Sequence, residues 1–363
     1  MRLSQSSPLL AATIHKYLLH RMLGLRFSFL AMSFALFFNA CEKPEKLYPA
    51  PNSSAGLQTQ SFAMGENYEN QLFFNFSTQK TYSSPFGLWH IGFSCFSDTP
   101  YIVLNNGLNA YIACAYFPQY SIADIIPKDS LKKANWQFDD PSGHRDSMGF
   151  KQPFGALNLT GEAKAKTGVF VVDLGASLAD SMRYIKIQLH NFGGGQFSFD
   201  HGYATEPYYT NTSLPIDTRY NFVYYNFQNQ QSPLNEPTEN TNWDVVFTTY
   251  KDAIYDSRGL LYPYVIRGVL INPLRIEVAQ VNGIDFQQID LAFAEQVKFT
   301  SVIDEIGYDW KAYDQNASRY AIVPKQNYLL RTRDGHIFKM RFLDFYNDQG
   351  VKGFPKMAWE LLK

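Results

Sequence analysis

Five short signatures, four of them aromatic, occur twice along this chain, in the same order. Phe73-Phe74-Asn75-Phe76 returns as Tyr224-Tyr225-Asn226-Phe227, and Trp89-His90-Ile91-Gly92-Phe93 returns as Trp243-Asp244-Val245-Val246-Phe247. Ile102-Val103-Leu104-Asn105 is echoed by Val269-Leu270-Ile271-Asn272, and Trp136-Gln137-Phe138 by Trp310-Lys311-Ala312-Tyr313. Last, the run Tyr184 to His190 is echoed by Phe338 to Asp344. A single pair is within reach of chance, but five in order mark a duplicated structural unit. They divide the chain into two tandem β domains, 62–205 and 216–363, with Glu206 to Pro215 as the linker. The alignment sets Trp89 against Trp243 and Leu189 against Leu343. It also sets His90 against Asp244 and His190 against Asp344, so two Asp of the second copy are two His in the first.

The signatures read as strands. Phe and Tyr supply most of a 16% aromatic content and favour pleated, half-buried surfaces. Apolar residues alternate over short runs broken by Gly, Pro and Asn, and long helical periodicity is scarce. The chain is expected to be all-β, with short helices near Ile122–Lys133 and Phe286–Gln296. Asp334-Gly335 between two alternating runs is a hairpin signal, and Gly193-Gly194-Gly195 reads as a hairpin turn rather than a phosphate cradle.

The N-terminus is of another kind. Phe27 to Phe38 is apolar without a charge, Arg26 precedes it, and no acid occurs before Glu42. That is the pattern of a secretory signal, too short for a membrane span of roughly 20 residues. It ends in Asn39-Ala40-Cys41, which resembles a bacterial lipobox, so residues 1–40 are expected to be removed and Cys41 lipidated. Met22 is a plausible true start. The stretch 41–61, rich in Pro, Ser and Asn, reads as a flexible tether. Two or three acyl chains suffice for stable attachment, which places the protein at the outer membrane, on its periplasmic face or at the cell surface.

Removing residues 1–40 takes Arg2, Lys16, Arg21 and Arg26 and no acid from a chain with 32 basic and 33 acidic residues. The mildly acidic remainder has no Lys/Arg cluster, which argues against nucleic acid as a partner. In an oxidising compartment Cys95 and Cys114 either form a disulfide or remain buried thiols.

The anchor-like start, Asn242-Trp243-Asp244-Val245-Val246-Phe247 and the run from Tyr328 to Leu362 carry a resemblance. On these residues the second half resembles the HmuY family of haem-binding lipoproteins. The resemblance implies two HmuY-like β domains that capture haem at the cell surface and pass it to a TonB-dependent outer-membrane receptor. It further implies axial iron ligands, a pair of His or Met, on loops in the middle and late part of the domain. The second copy departs from this: no His lies between His201 and His336, and no Met between Met182 and Met340. Where a ligand is expected stand Asp314, Gln315 and Asn316, which are poor haem ligands.

A haem site is therefore expected in the first copy, in the loop Phe138 to Phe150. His144 and Met148 are haem-ligand types there, and Arg145 would pair with a propionate. A further His pair, His90 and His190, would exist if their strands are neighbours. Asp139, Asp140 and Asp146 read as a solvated turn, and His336 and His201 as solvent-facing strand residues. No enzyme motif or metal-binding pattern emerges. The alternative to haem capture is a surface recognition or assembly lipoprotein that keeps the fold, has lost the haem ligands and binds a glycan or a partner protein.

Overall fold

The computed structural model describes residues 56–96, 99–108, 112–229, 234–255 and 258–363. Cys41, the signal segment, Met22 and most of the tether lie outside them. The described chain is all-β. Its strands are β1 (Gln58–Ser61), β2 (Asn70–Phe74), β3 (Thr81–Pro85), β4 (Ile91–Ser94), β5 (Ile102–Leu104) and β6 (Ala113–Phe117). Next come β7 (Val169–Asp173), β8 (Tyr184–Leu189), β9 (Gln196–Tyr203), β10 (Thr210–Pro215), β11 (Phe222–Tyr225) and β12 (Leu234–Asn235). The last group is β13 (Val245–Tyr255), β14 (Leu261–Ile271), β15 (Ile276–Asn282), β16 (Lys311–Asp314), β17 (Arg319–Ile322), β18 (Gln326–Thr332), β19 (Ile337–Tyr346) and β20 (Lys352–Leu361). Among the described residues no helix is long and apolar enough to cross a membrane.

Two sandwiches result, each a five-stranded sheet packed on a four-stranded one. The first joins β10-β9-β8-β7-β6 to β12-β11-β4-β5, and the second joins β1-β20-β19-β18-β15 to β3-β2-β13-β14. Alternate residues of the facing sheets make one core in each: Phe93, Val172, Ile187 and Phe199 in the first, Phe247, Leu330, Met340 and Trp359 in the second. Period-two burial of this kind is what the aromatic alternation encodes.

The strand orders are the same once β1–β9 are set beside β10, β11, β12, β13, β14, β15, β18, β19 and β20. The halves nevertheless do not close on themselves. β2 pairs with β13 (Phe74 opposite Val245), and β1 pairs with β20. Reciprocally, β11 pairs with β4 (Tyr225 opposite Ile91) and β10 with β9. The first three strands of each copy thus complete the other copy's sandwich. The boundaries 62–205 and 216–363 are corrected accordingly: β4 to β12 form one contiguous sandwich, inserted into a second made of 56–85 and 243–363. The expected linker contains strand β10, and the expected tether contains β1. A repeat in sequence shows which strands are equivalent. It does not show which equivalent partner they take, and exchange of identical elements costs little.

The two copies also share atomic contacts. The Asn105 side chain donates to the carbonyls of Phe86 and Trp89, and the Asn272 side chain to those of Asn240 and Trp243. Such contacts also correct the register of the repeat in two places. Lys186 and Lys339 are both buried, each donating to carbonyls of the segment that covers its five-stranded sheet. This sets Leu189 against buried Phe342, not exposed Leu343, and removes His190 from the place of Asp344. A one-residue slip would turn every side chain to the wrong face. Likewise the bridge of Cys114 with Gln137 matches that of Val278 with Thr300, so Trp136 corresponds to Phe299 and not to Trp310. The covering segments contain the expected short helices, Lys128–Lys132 in the first copy and Phe286–Gln288 with Leu291–Ala294 in the second. Gly194 and Gly195 turn the β8–β9 hairpin at positive φ, and Gly335 takes positive φ in the turn before β19.

Candidate functional site

His90 and Asp244 do the same job in the two copies. The Phe227 N–H donates to His90 Nδ1 (3.1 Å), and the Phe76 N–H donates to Asp244 Oδ2 (2.7 Å). Both acceptors are buried, and the donors belong to the exchanged segments. Burial pushes the His90 imidazole down to about 4, so it stays neutral and able to accept. His190 does not join it. Its Nε2 faces Asp200 (2.9 Å) on an exposed strand end, so the two His serve separate contacts. The neighbour of His90 across the Phe227 ring is instead His201, buried beside the Tyr225 hydroxyl (2.7 Å) in the place that Trp359 takes in the other copy. His201 is thus a core residue rather than a solvent-facing strand residue.

The three residues expected to hold haem in the loop Phe138 to Phe150 lie in different surroundings. His144 is exposed, whereas Met148 is buried and lines a cavity. Arg145 donates to the Thr99 carbonyl (3.0 Å) and lies over the Tyr101 ring, so it is engaged within the fold. Asp139 is not solvated either. Its carboxylate is buried and accepts from the N–H groups of Leu104 (2.6 Å) and Gly149 (2.8 Å). Those bonds fasten the loop to the sheet, and the Ser142 carbonyl then accepts from Ile303 N–H of the other sandwich (3.1 Å). The loop is a strap between sandwiches. Cys95 and Cys114 are buried free thiols in one core, not a bridge, and burial pushes the Cys95 thiol up to about 12. His336 faces Asp334 (3.2 Å), as an ordinary turn residue. Among the described residues no cluster of three metal-ligating side chains occurs.

The copies differ most at β13 and β14. Each runs 11 residues, against 4 and 3 for the equivalent β4 and β5. The extension carries Tyr255, Tyr262 and Tyr264 into solvent, and the hairpin β16–β17, which has no paired-strand counterpart in the first copy, adds exposed Tyr313. Between them lies a groove of about 490 Å³, within the usual size of small-molecule sites. Tyr68, Tyr264, Tyr308, Tyr313, Tyr320 and Phe345 line it together with Arg267, Lys311 and Lys352, and no carboxylate does.

The cations are held by rings and carbonyls rather than by acids. Arg267 lies 4.6 Å over the Tyr68 ring, and Lys352 approaches the same ring. Lys311 donates to the Arg267 carbonyl (2.6 Å) and sits 4.2 Å over Trp310. Burial pulls its ammonium down to about 7, an effect Asp309 partly offsets and Arg267 reinforces. Tyr68 adopts φ +58°, sparsely populated for a non-glycine residue, and burial pushes its hydroxyl up to about 12. Strained residues of this kind gather at ligand sites. Aromatic rings with basic groups among them suit a flat anionic molecule. A search for His and Met missed this groove. The available signal was the length of the Val245–Ile271 hairpin beyond its repeat and the tyrosines on that excess.

No protein-family profile and no curated protein matches the sequence. Among solved structures, apo PinO from Porphyromonas gingivitis aligns at 7% identity and TM-score 0.27, covering 85% of this chain and 99% of that one. The apo HmuY analog of Tannerella forsythia aligns at 10% identity and TM-score 0.23, covering 86% and 98%.

Proposed function

We propose that this protein is a lipid-anchored capture protein for a flat anionic ligand of the haem class, and that the ligand lies in the tyrosine groove of the second sandwich. The observation that supports this most is a groove in which Arg267, Lys311 and Lys352 lie among aromatic rings and no carboxylate lines the wall. Porphyrin faces would stack on the tyrosines, and propionates would meet Arg267, Lys311 and Lys352. Of the haem-iron ligand types, Tyr is the one the groove contains. Recognition then rests on ring and carboxylates, not on a His or Met pair. The lipid on Cys41 would hold the protein at the outer membrane, where a TonB-dependent receptor would take the ligand onward. The exposed tyrosines support a second reading, since such a platform also stacks sugar rings, and an anionic glycan would use the same cations.

Titration with hemin and with iron-free protoporphyrin IX, followed by absorbance and fluorescence, tests the proposal. Both should bind with similar affinity, and Tyr313→Ala with Lys352→Glu should weaken both about tenfold or more, the effect of about 1.4 kcal/mol. His144→Ala should change nothing. Loss of hemin binding in His144→Ala, or failure of both porphyrins to bind, would reject the groove. Binding of an acidic oligosaccharide in place of both porphyrins would transfer it to the glycan reading.

A further inference from the structure

A second cavity lies where the outer faces of the two four-stranded sheets meet. It measures about 180 Å³ and is mainly apolar. Its walls are equivalent pairs from the two copies: Trp89 and Trp243, Phe73 and Tyr224, Val103 and Leu270. Rings buttress both ends, with Trp89 stacked on Tyr224 (4.2 Å) and Phe73 edge-on to Trp243 (5.0 Å).

What sets this cavity apart is the set of polar residues that line it. The indole N–H groups of Trp89 and Trp243, the hydroxyls of Thr249 and Tyr250 and the side-chain carbonyl of Asn221 are buried without a hydrogen-bond partner in the protein. Trp243, Thr249, Tyr250 and Asn221 are each less than a tenth exposed. Buried polar groups are almost always paired, because an orphan costs about 1–3 kcal/mol. Five on residues that line one cavity point to a guest that pairs them. Four of the five can donate, so the guest must accept. Three carboxyl groups, Glu236, Asp139 and Asp140, also line the wall, and the two aspartates disfavour an anion. Burial pushes Glu236 up to about 8, so at neutral pH it is a protonated donor as well. A cavity of roughly 150 Å³ holds a benzene ring.

We propose that this cavity is a separate binding site for a small neutral single-ring compound carrying an acceptor oxygen, of phenol or benzyl alcohol type. The ring fills the aromatic walls, and the oxygen receives the indole N–H of Trp89 or Trp243. The site is independent of the tyrosine groove and does not rest on haem capture.

The test is a titration of the full mature chain with phenol, benzyl alcohol, benzene and benzyltrimethylammonium, read by tryptophan fluorescence and by ligand-observed NMR. The oxygen-bearing rings should bind saturably and at least about tenfold more tightly than benzene. Trp243→Phe, which keeps a ring and deletes the N–H, should narrow that gap while leaving benzene binding in place. Thr249→Val is a second readout should Trp243→Phe not fold. The inference fails if none of the four binds the wild-type chain saturably, which would leave the orphan groups to water. It fails also if benzene equals phenol or if the ammonium compound binds best.

Discussion

Asp244→Ala and His90→Ala remove equivalent acceptors, and the structure assigns them different costs and different victims. Asp244 is fully buried, receives Arg275 Nε at 2.7 Å and accepts the Phe76 N–H at 2.7 Å. Deleting it leaves a buried guanidinium without its carboxylate, a loss of about 3–5 kcal/mol. His90 is neutral and accepts one N–H, so His90→Ala orphans a single donor, at about 1–3 kcal/mol. Urea unfolding followed by fluorescence should rank the variants in that order. Amide exchange adds the location. Because the first strands are exchanged, Asp244→Ala should speed exchange at Phe76 and His90→Ala at Phe227. The opposite pattern, with His90→Ala loosening Phe76, would show that each half closes on itself and would refute the exchange. Equal costs would refute the assignment of the buried ion pair.

Three further outcomes follow from particular residues. A fragment spanning 86–242 should fold alone, with cooperative unfolding, whereas fragments cut within 206–215 should not, since that cut separates β10 to β12 from the sandwich they complete. His90 and His201 both sit at about 4 when folded, below an unfolded value near 6.5. The unfolded chain therefore takes up protons first, and each His withdraws up to about 3 kcal/mol of stability as pH falls from 6.5 to 4. His201→Trp, the residue at the equivalent position, should flatten that loss, and an unchanged pH profile would contradict it. Finally, Lys311 is a cation below about pH 7 and neutral above it. Porphyrin affinity should thus fall between pH 6 and 8.5 and with added salt, and a flat response to both would remove electrostatics from the groove.

Much of the scaffold was legible in the sequence because period-two burial and Asn-capped strand ends leave a visible pattern. Phe73–Phe76 and Tyr224–Phe227 do occupy equivalent places, as do Trp89 and Trp243. Strand exchange left no trace, since pairing β2 with β4 or with β13 buries the same side-chain pattern. The aligned Trp136 and Trp310 misled because aromatic identity outweighed position, and one sits half-buried on a covering segment while the other lies in a core. The functional residues were harder still. His144, Arg145 and Met148 are close in sequence yet face solvent, a neighbouring loop and a cavity. The tyrosine groove gathers residues from Tyr68 to Lys352, with no local spacing to announce it. Asp139 looked like a turn acid until its two backbone donors were seen.

Hydrogen–deuterium exchange of the mature chain with and without hemin bears most directly on the proposed capture site. Protection should appear at Tyr262–Arg267 and Tyr308–Tyr320, with Phe138–Phe150 unchanged. Protection confined to Phe138–Phe150, or no protection at saturating hemin, would contradict it.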